Sequence, residues 1–146
     1  AMRTTFAEEK LTRQVEADCH DLCFMGSTIS ATGMAGYEIH MGHTDFTGEV
    51  IHPFTVKRDA DSQSVPEGLV SKDGLVFGTY IHGVFDHDSF RRGILNAIRE
   101  RKGLAPLESR RNLRAEKQRN YERLAAIVKE NLNMDLLRSI MGEREC

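Results

Sequence analysis

Long apolar segments are missing from this sequence. No run approaches the roughly 18 residues that a transmembrane helix needs, so no membrane span is predicted. The chain also begins without the charged, apolar and small-residue succession of a secretory signal. These two absences favour a cytoplasmic protein.

Cysteine is scarce, with three residues at Cys19, Cys23 and Cys146. A small odd number argues against a disulfide framework and favours a reducing compartment. The thiols of Cys19 and Cys23, with His20 between them, leave a zinc site as an alternative. Structural zinc sites usually have a second ligand pair, which is missing here, so no metal is expected.

An excess of one charge is also missing. Twenty Lys and Arg residues face 22 Asp and Glu residues, for a net charge of −2. A nucleic-acid-binding domain usually has a basic surplus, so no nucleic-acid partner is predicted. With 146 residues, 40% hydrophobic and 29% charged, the chain is expected to form a single domain over residues 1–146.

Apolar periodicity predicts strands in the first half of the chain. Residues 9–18 alternate between apolar and polar side chains, and residues 37–41 and 50–57 are strand-like. The Ser-, Thr- and Gly-rich residues 26–36 predict a loop, and the polar residues 59–68 predict a connector.

A hairpin and three helices are predicted in the second half. The Asp-Gly pair in residues 72–74 indicates a tight turn, and the nearly continuous apolar run over 75–81 is typical of a strand buried on both faces of an α/β sheet. A helix then follows, capped by Asp86 or Asp88 and ended by Gly103. Two further helices are predicted, an amphipathic one around residues 121–132 and a short one over 134–141. The fold class is therefore α/β or α+β, with strands early and helices at the C-terminus.

His82 is the first candidate for chemistry, because it ends the apolar strand shortly before a helix begins. Ligands of open α/β sheets bind at the carboxyl ends of strands, where a histidine can act as a general base and then as a general acid. Gly83 leaves space for a ligand or for a close backbone approach. The alternative is a structural histidine that ends a strand and caps a turn.

The segment Gly36–Gly42 holds three candidates for supporting roles. Glu38 and His40 share a strand face by the period of two, and Tyr37 precedes them. They could orient a ligand or a second catalytic group. The alternative is a buried Glu–His pair that fixes the sheet.

A nucleophile is absent from the chain. A nucleophile elbow needs small residues two places before and after the reactive side chain. Cys19 has Ala17 and Asp21 there, and Cys23 has Asp21 and Met25, so neither fits. No Gly-x-Ser-x-Gly segment and no phosphate-binding loop occur either.

Two long motifs resemble the cobyric acid synthase family. They are Gly36-Tyr37-Glu38-Ile39-His40-Met41-Gly42 with Thr44, and the stretch from Asp73 to Asp86 with its Gly-Thr-Tyr-Ile-His-Gly core. Residues 4–12 and the tail over 121–135 are similar to the same family. The resemblance therefore runs nearly from end to end.

What the resemblance implies is the C-terminal portion of a class I, triad-type glutamine amidotransferase domain with a flavodoxin-like sheet. In this family a cysteine attacks the amide of glutamine, and the histidine matching His82 activates that cysteine. The ammonia passes to a synthetase half that uses ATP and Mg²⁺ to amidate corrin carboxylates in cobalamin biosynthesis.

Two departures from the family pattern follow. The nucleophile elbow and the synthetase half are absent, so this chain alone is expected to be inactive, to bind no cofactor itself and to self-associate. Position 84, where most triad amidotransferases have a glutamate, is Val84. The orienting partner of His82 is then open, with Glu38 as a candidate. The alternative function is a non-catalytic binding module with an amidotransferase-like fold.

Overall fold

The computed structural model describes residues 2–58, 63–109 and 111–142. In these residues strands come first and helices last, and the predicted α/β class is confirmed. The elements are β1 (Met2–Thr5), β2 (Leu11–Phe24), β3 (Ser27–His40), β4 (His43–Phe46), β5 (Phe54–Lys57), β6 (Val65–Glu67), β7 (Leu69–Val70), β8 (Phe77–Gly78), β9 (Ile81–His82), a 3-10 helix (Val84–Asp86), α1 (Asp88–Arg101), α2 (Leu113–Asn131) and α3 (Met134–Met141).

The chain divides into two compact units, Ala1–Arg111 and Asn112–Cys146, where the sequence predicts a single domain. The second unit holds α2 and α3, and both predicted helices are confirmed. No described residue of either helix is buried, and the apolar side chains expected to form a packed face, including Tyr121, Leu124 and Ile127, are exposed. Among the described helices, none is long and apolar enough to cross a membrane.

A five-stranded sheet organises the first unit, in the order β6-β5-β2-β3-β9. Every pairing between the described strands is antiparallel, unlike the parallel pairing typical of a flavodoxin-like sheet. Helix α1 contributes Phe90, Ile94 and Ala97 to the core. Their spacing of three and four residues places them on one helix face.

The β2–β3 hairpin is the longest feature, with 14 residues in each strand. The loop predicted over residues 26–36 is therefore wrong. Polar side chains in this segment alternate with buried Ile29 and Ala31, which are on the core face, so burial overrides the turn-like composition. The chain turns at Met25 and Gly26, just before β3 begins, and both residues have positive φ.

Two bulges interrupt this hairpin, one in each strand. The register shifts between Ala17 and Cys19 and again between Cys19 and Leu22, and the second shift restores the alignment. Side chains bond the backbone at both places. The Gly33 N–H donates to Asp18 Oδ1 at 2.8 Å, and the Asp21 N–H donates to Ser30 Oγ at 3.3 Å.

The strand predicted over residues 75–81 is wrong in extent. Only β8 and the start of β9 are strand, and Leu75 and Val76 are exposed. The hairpin itself is confirmed, because β7 pairs with β8 across the predicted turn. The segment is apolar because Phe77 packs on the core and Ile81 enters it, rather than because one strand is buried on both faces.

Other element boundaries also differ from the predictions. The strand predicted over 50–57 is restricted to β5, and the predicted connector contains β6, while residues 59–62 lie outside the described residues. Helix α1 is confirmed, but its N-cap is His87 and not Asp86 or Asp88. Gly103 has φ 70° just after the helix, as expected for its end.

Candidate active site

His82 lies at one edge of the five-stranded sheet, as the second residue of β9. Its side chain is exposed, and its Nε2 lies 3.3 Å from the carbonyl oxygen of Ile39. A carbonyl oxygen can only accept, so Nε2 donates in this contact, which makes Nδ1 the basic nitrogen of the neutral ring. An accessible imidazole with a basic nitrogen can act as a general base.

The two residues after His82 turn the chain into the 3-10 helix. Gly83 has φ 84°, which favours glycine, and its carbonyl accepts from the Asp86 N–H at 2.8 Å. A Cβ at Gly83 would meet no atom within 4 Å, so the turn rather than a close approach requires glycine. Val84 is buried in the core, so the position of the usual triad glutamate contributes packing instead.

Tyr37 is the predicted supporting residue that the structure places beside His82. The two residues are direct cross-strand partners, which places their side chains on the same face. Tyr37 is about half exposed, and its hydroxyl accepts from Gln14 Nε2 at 3.1 Å. Tyr37 and His82 therefore form one accessible polar surface.

Glu38 does not orient His82. It pairs across the strands with Ile81, so it points to the opposite face of the sheet, where it is only 1% exposed. Arg58 bonds both of its oxygens, from Nε to Oε2 at 2.9 Å and from Nη2 to Oε1 at 3.0 Å. The interpretation of Glu38 as the partner of His82 is corrected by this geometry.

Charge compensation sets the ionisation of Glu38. Burial alone raises its pKa, but the hydrogen bonds and charge of Arg58, with the charge of Arg13, outweigh it and lower the pKa. The Arg13 Nε lies 3.9 Å from Oε2. Glu38 is thus held as a carboxylate, as in other buried pairs with a bidentate arginine.

His40 shares the face of Glu38, as predicted, and belongs to a different environment from His82. Its Nδ1 donates to the Gly42 carbonyl at 2.8 Å, and its ring lies 4.9 Å from the ring of Tyr80. It lines a cavity of about 330 Å³ together with Glu38 and Arg58. Neither His82 nor Tyr37 is among the residues that line this cavity. The structure therefore separates the four candidates into two pairs.

Gly36 has a structural role beside His82 that its place in the Gly36–Gly42 segment did not indicate. A Cβ there would lie 2.6 Å from Ile81 Cγ2 and 2.7 Å from the His82 carbonyl oxygen. The absence of a side chain thus lets β9 approach β3 closely enough to pair. A glycine inside a strand is the sequence signal for such an approach.

Glu67 is the second residue that was missed, because its segment was predicted to be a connector. It is 6% exposed, and it accepts from Thr79 Oγ1 at 2.6 Å and from the Tyr80 N–H at 2.7 Å. Burial raises the pKa of its carboxyl, and the nearby charge of Glu38 raises it further, against these hydrogen bonds. No motif in the sequence marks this role.

The zinc alternative and an internal nucleophile both lack support. Cys19 is buried with its Sγ towards the Ile29 carbonyl, and burial raises the pKa of its thiol to about 11. Such a thiol is unreactive near neutral pH. Cys23 is exposed on the same strand, and Cys146 lies outside the described residues. Among the described residues no group of three or more His, Cys, Asp or Glu could hold a metal ion.

Comparison with known proteins identifies the family. Residues 1–90 match the CobB/CobQ-like glutamine amidotransferase domain. The chain belongs to this family. The region matched in the CobB/CobQ-like family contains β1 to β9 and His82.

Individual relatives agree with the predicted resemblance, which is confirmed. Cobyric acid synthase of Klebsiella pneumoniae (strain 342) is 40% identical over 97% of this chain. The cobyric acid synthases of Caldanaerobacter subterraneus subsp. tengcongensis and Salmonella heidelberg are 37% and 38% identical over the same share. The chain spans only 28% of the length of these CobB/CobQ-like relatives. No solved structure matches it.

Proposed function

We propose that this chain is the histidine-bearing part of a glutamine amidotransferase domain in an enzyme of cobalamin biosynthesis. The enzyme would use ammonia from glutamine for the ATP-dependent amidation of corrin carboxylates. The observation that carries the proposal is the exposed His82 at the end of a strand, whose Nε2 donates to the Ile39 carbonyl, within the region that matches the CobB/CobQ-like glutamine amidotransferase domain. The adjacent Tyr37 extends the same accessible surface.

In this proposal His82 first accepts a proton and then donates it. It takes the proton of a cysteine thiol supplied from outside this chain, and the thiolate attacks the side-chain amide carbon of glutamine. The carbon–nitrogen bond breaks as His82 gives the proton to the leaving nitrogen, which departs as ammonia and leaves a thioester. Water then hydrolyses the thioester to glutamate and restores the thiol. Cys19 cannot replace that cysteine, because its thiol is buried with a pKa of about 11.

We assign the binding of ATP, Mg²⁺ and the corrin substrate to a synthetase part of the whole protein, and the whole protein to the cytoplasm. The residues described in this chain do not fit a Mg²⁺ site, since they contain no cluster of three or more suitable ligands. The chain also has no phosphate-binding loop. The isolated chain should self-associate through the open edge of β9, which sedimentation velocity would measure.

The test is a chimera in which this sequence replaces the matching 28% of the Klebsiella pneumoniae relative. The isolated chain should release no ammonia from glutamine, whereas the chimera should. His82→Ala in the chimera should lower glutamine hydrolysis at least about 100-fold, the scale of general acid–base catalysis. Amidation driven by added ammonium salts should persist, because free ammonia bypasses glutamine hydrolysis.

The matched control is His20→Ala, which removes an exposed histidine of β2 that contacts Thr55 on the same sheet. It should leave glutamine hydrolysis unchanged. Glutamine hydrolysis by the isolated chain, lost in His82→Ala, would overturn the proposal. An inactive chimera that still folds and retains ammonium-dependent amidation would favour the non-catalytic binding module instead.

A further inference from the structure

The segment just before His82 crosses from one sheet to another. β8 pairs with β7 in a two-stranded sheet, while β9 pairs with β3 in the five-stranded sheet. Thr79 and Tyr80 lie between these strands. Backbone groups at such a crossing lose the regular ladder and need other partners.

A single buried carboxylate supplies those partners. Glu67 Oε1 accepts from the Tyr80 N–H at 2.7 Å, and Glu67 Oε2 accepts from Thr79 Oγ1 at 2.6 Å. The Thr79 hydroxyl oxygen in turn accepts from the Ile81 N–H at 3.0 Å. The two backbone amides immediately before His82 are thus bonded, directly or through one hydroxyl, to Glu67.

Glu67 reaches this segment across the β7–β8 hairpin, because it lies two residues before Leu69, the cross-strand partner of Gly78. Glu67 belongs to β6, at the opposite edge of the five-stranded sheet from β9. Its cross-strand partner Phe54 is fully buried in the core. A carboxylate kept at 6% exposure is costly unless its oxygens are bonded, and here both are. The fold therefore keeps a buried acid where an apolar residue would be easier to accommodate.

We infer that Glu67, acting through Thr79 and the Tyr80 amide, is a positioning residue for His82. The inference rests on the proposed function, in which His82 is the catalytic base. The described contact of the His82 side chain is the 3.3 Å one to Ile39, so the backbone of β9 largely sets where the ring lies. Displacements of about 1 Å at a catalytic group can cost about 100-fold in rate.

Four variants separate positioning from charge and from folding. Glu67→Leu removes both acceptors, whereas Glu67→Gln retains one oxygen for the Tyr80 amide and can donate to Thr79. Thr79→Val breaks the link to Ile81, and Thr79→Ser keeps it. The matched control is Asp73→Asn, because Asp73 also accepts from one hydroxyl and one backbone amide, in the neighbouring turn, without touching residues 79–82.

Nuclear magnetic resonance on the 146-residue chain tests the geometry independently of activity. In Glu67→Leu and Thr79→Val the His82 ring ¹⁵N signals should shift or broaden, and in Glu67→Leu hydrogen exchange of the Tyr80 amide should accelerate at least tenfold. Glu67→Gln, Thr79→Ser and Asp73→Asn should leave these signals close to those of the parent chain. Unchanged His82 ring signals in folded Glu67→Leu and Thr79→Val would overturn the inference.

Kinetics of the Klebsiella pneumoniae chimera test the consequence. Glu67→Leu and Thr79→Val should lower kcat for glutamine hydrolysis by 10- to 100-fold, on the order expected for a misplaced group, with KM changed by less than about threefold. Glu67→Gln and Thr79→Ser should restore kcat to within about threefold of the parent. If Glu67→Gln were as impaired as Glu67→Leu, charge rather than positioning would be at work and the inference would fail. A parent chimera without glutamine hydrolysis would instead count against the proposed function, and the resonance experiment would still decide the role of Glu67.

Discussion

Tyr37 and His82 are direct cross-strand partners, whereas the next residue along β3, Glu38, pairs with Ile81 on the opposite face of the sheet. One step along the strand thus separates an accessible surface with an imidazole from a buried ion pair. The regular alternation of strand side chains explains this division, because successive side chains point to opposite faces of the sheet. Within the segment Gly36–Gly42, Tyr37 thus belongs to the candidate site, and its neighbour Glu38 stabilises the fold.

Gly36→Ala is expected to weaken the pairing of β9 with β3. The added methyl group would lie 2.6 Å from Ile81 Cγ2 and 2.7 Å from the His82 carbonyl oxygen, so one of the strands must move. Overpacking of this kind costs about 1–3 kcal/mol in the free energy of unfolding. Urea denaturation measures the loss. Gly78→Ala is the control, because a Cβ there meets nothing within 4 Å, and a loss equal to that of Gly36→Ala would contradict the explanation.

Glu38→Gln should destabilise the first unit by about 2–3 kcal/mol, the scale for hydrogen bonds that involve charged groups. The change leaves the Arg58 guanidinium without the carboxylate that accepts its two hydrogen bonds. Denaturant unfolding at neutral pH would show the effect. Asp45→Asn, which removes an exposed carboxylate paired with His43, is the comparison and should change stability by less than about 0.5 kcal/mol.

The stabilising contribution of Glu38 should disappear in acid. Its pKa in the folded chain lies below the usual 4.5, so the folded state holds fewer protons than the unfolded state between these two values. The stability is therefore fully present above about pH 4.5 and is lost as the pH falls through the folded pKa. Unfolding free energies of the parent chain and Glu38→Gln should converge on acidification. Curves that stay parallel would rule out this linkage.

Glu67 should show the opposite dependence on pH. Its folded pKa is raised above 4.5, so the folded state holds more protons in the window between the two values and stability falls as the pH rises through it. Because Glu67→Gln cannot ionise, its stability relative to the parent chain should improve from pH 4.5 towards neutrality. A series of denaturation curves over this range measures the difference. A relative stability that worsened with rising pH would show that the sign is wrong.

Cys19 and Cys23 should differ sharply in reactivity although only three residues separate them. Burial and a pKa of about 11 keep the Cys19 thiol protonated, whereas Cys23 is exposed on its strand. Iodoacetamide at pH 8 should modify Cys23 in the folded chain and Cys19 only after unfolding, because the thiolate is the reactive form. Fragment mass spectrometry locates the label. Equal labelling rates in the folded chain would contradict the burial of Cys19.

The sequence allowed the helices to be predicted well because their signals are local. The spacing of Phe90, Ile94 and Ala97 and the terminating Gly103 depend only on helix geometry. Strand limits depend on partners far along the chain, so the composition of residues 26–36 predicts a loop where the structure has a strand. Its glycines and hydroxyl side chains are turn-like, and only the long-range pairing with β2 reveals that Ile29 and Ala31 face a core.

The residues of the candidate site also differ in whether local sequence signals predict their roles. The position of His82 at a strand end follows from the apolar run before it and the helix signals after it, so it was predictable. The role of Glu67 was not, because nothing in its own segment shows that the β7–β8 pairing brings its carboxyl group to Thr79 and Tyr80. Assigning Glu38 to the face opposite His82 requires the register between β3 and β9, which no local sequence pattern encodes.

The paired bulges of the β2–β3 hairpin have a consequence for how this sequence can change. The irregularity at Asp21 in one strand is offset by that at Gly33 in the other, so that Leu11 again stands opposite His40 at the far end. Losing one residue at either place would slip all the pairs beyond it and would exchange the inward and outward sides of one strand relative to the other. An insertion or deletion in one strand of this hairpin is therefore tolerated only if a matching change in the other strand restores the register. The lengths of β2 and β3 can therefore change only together.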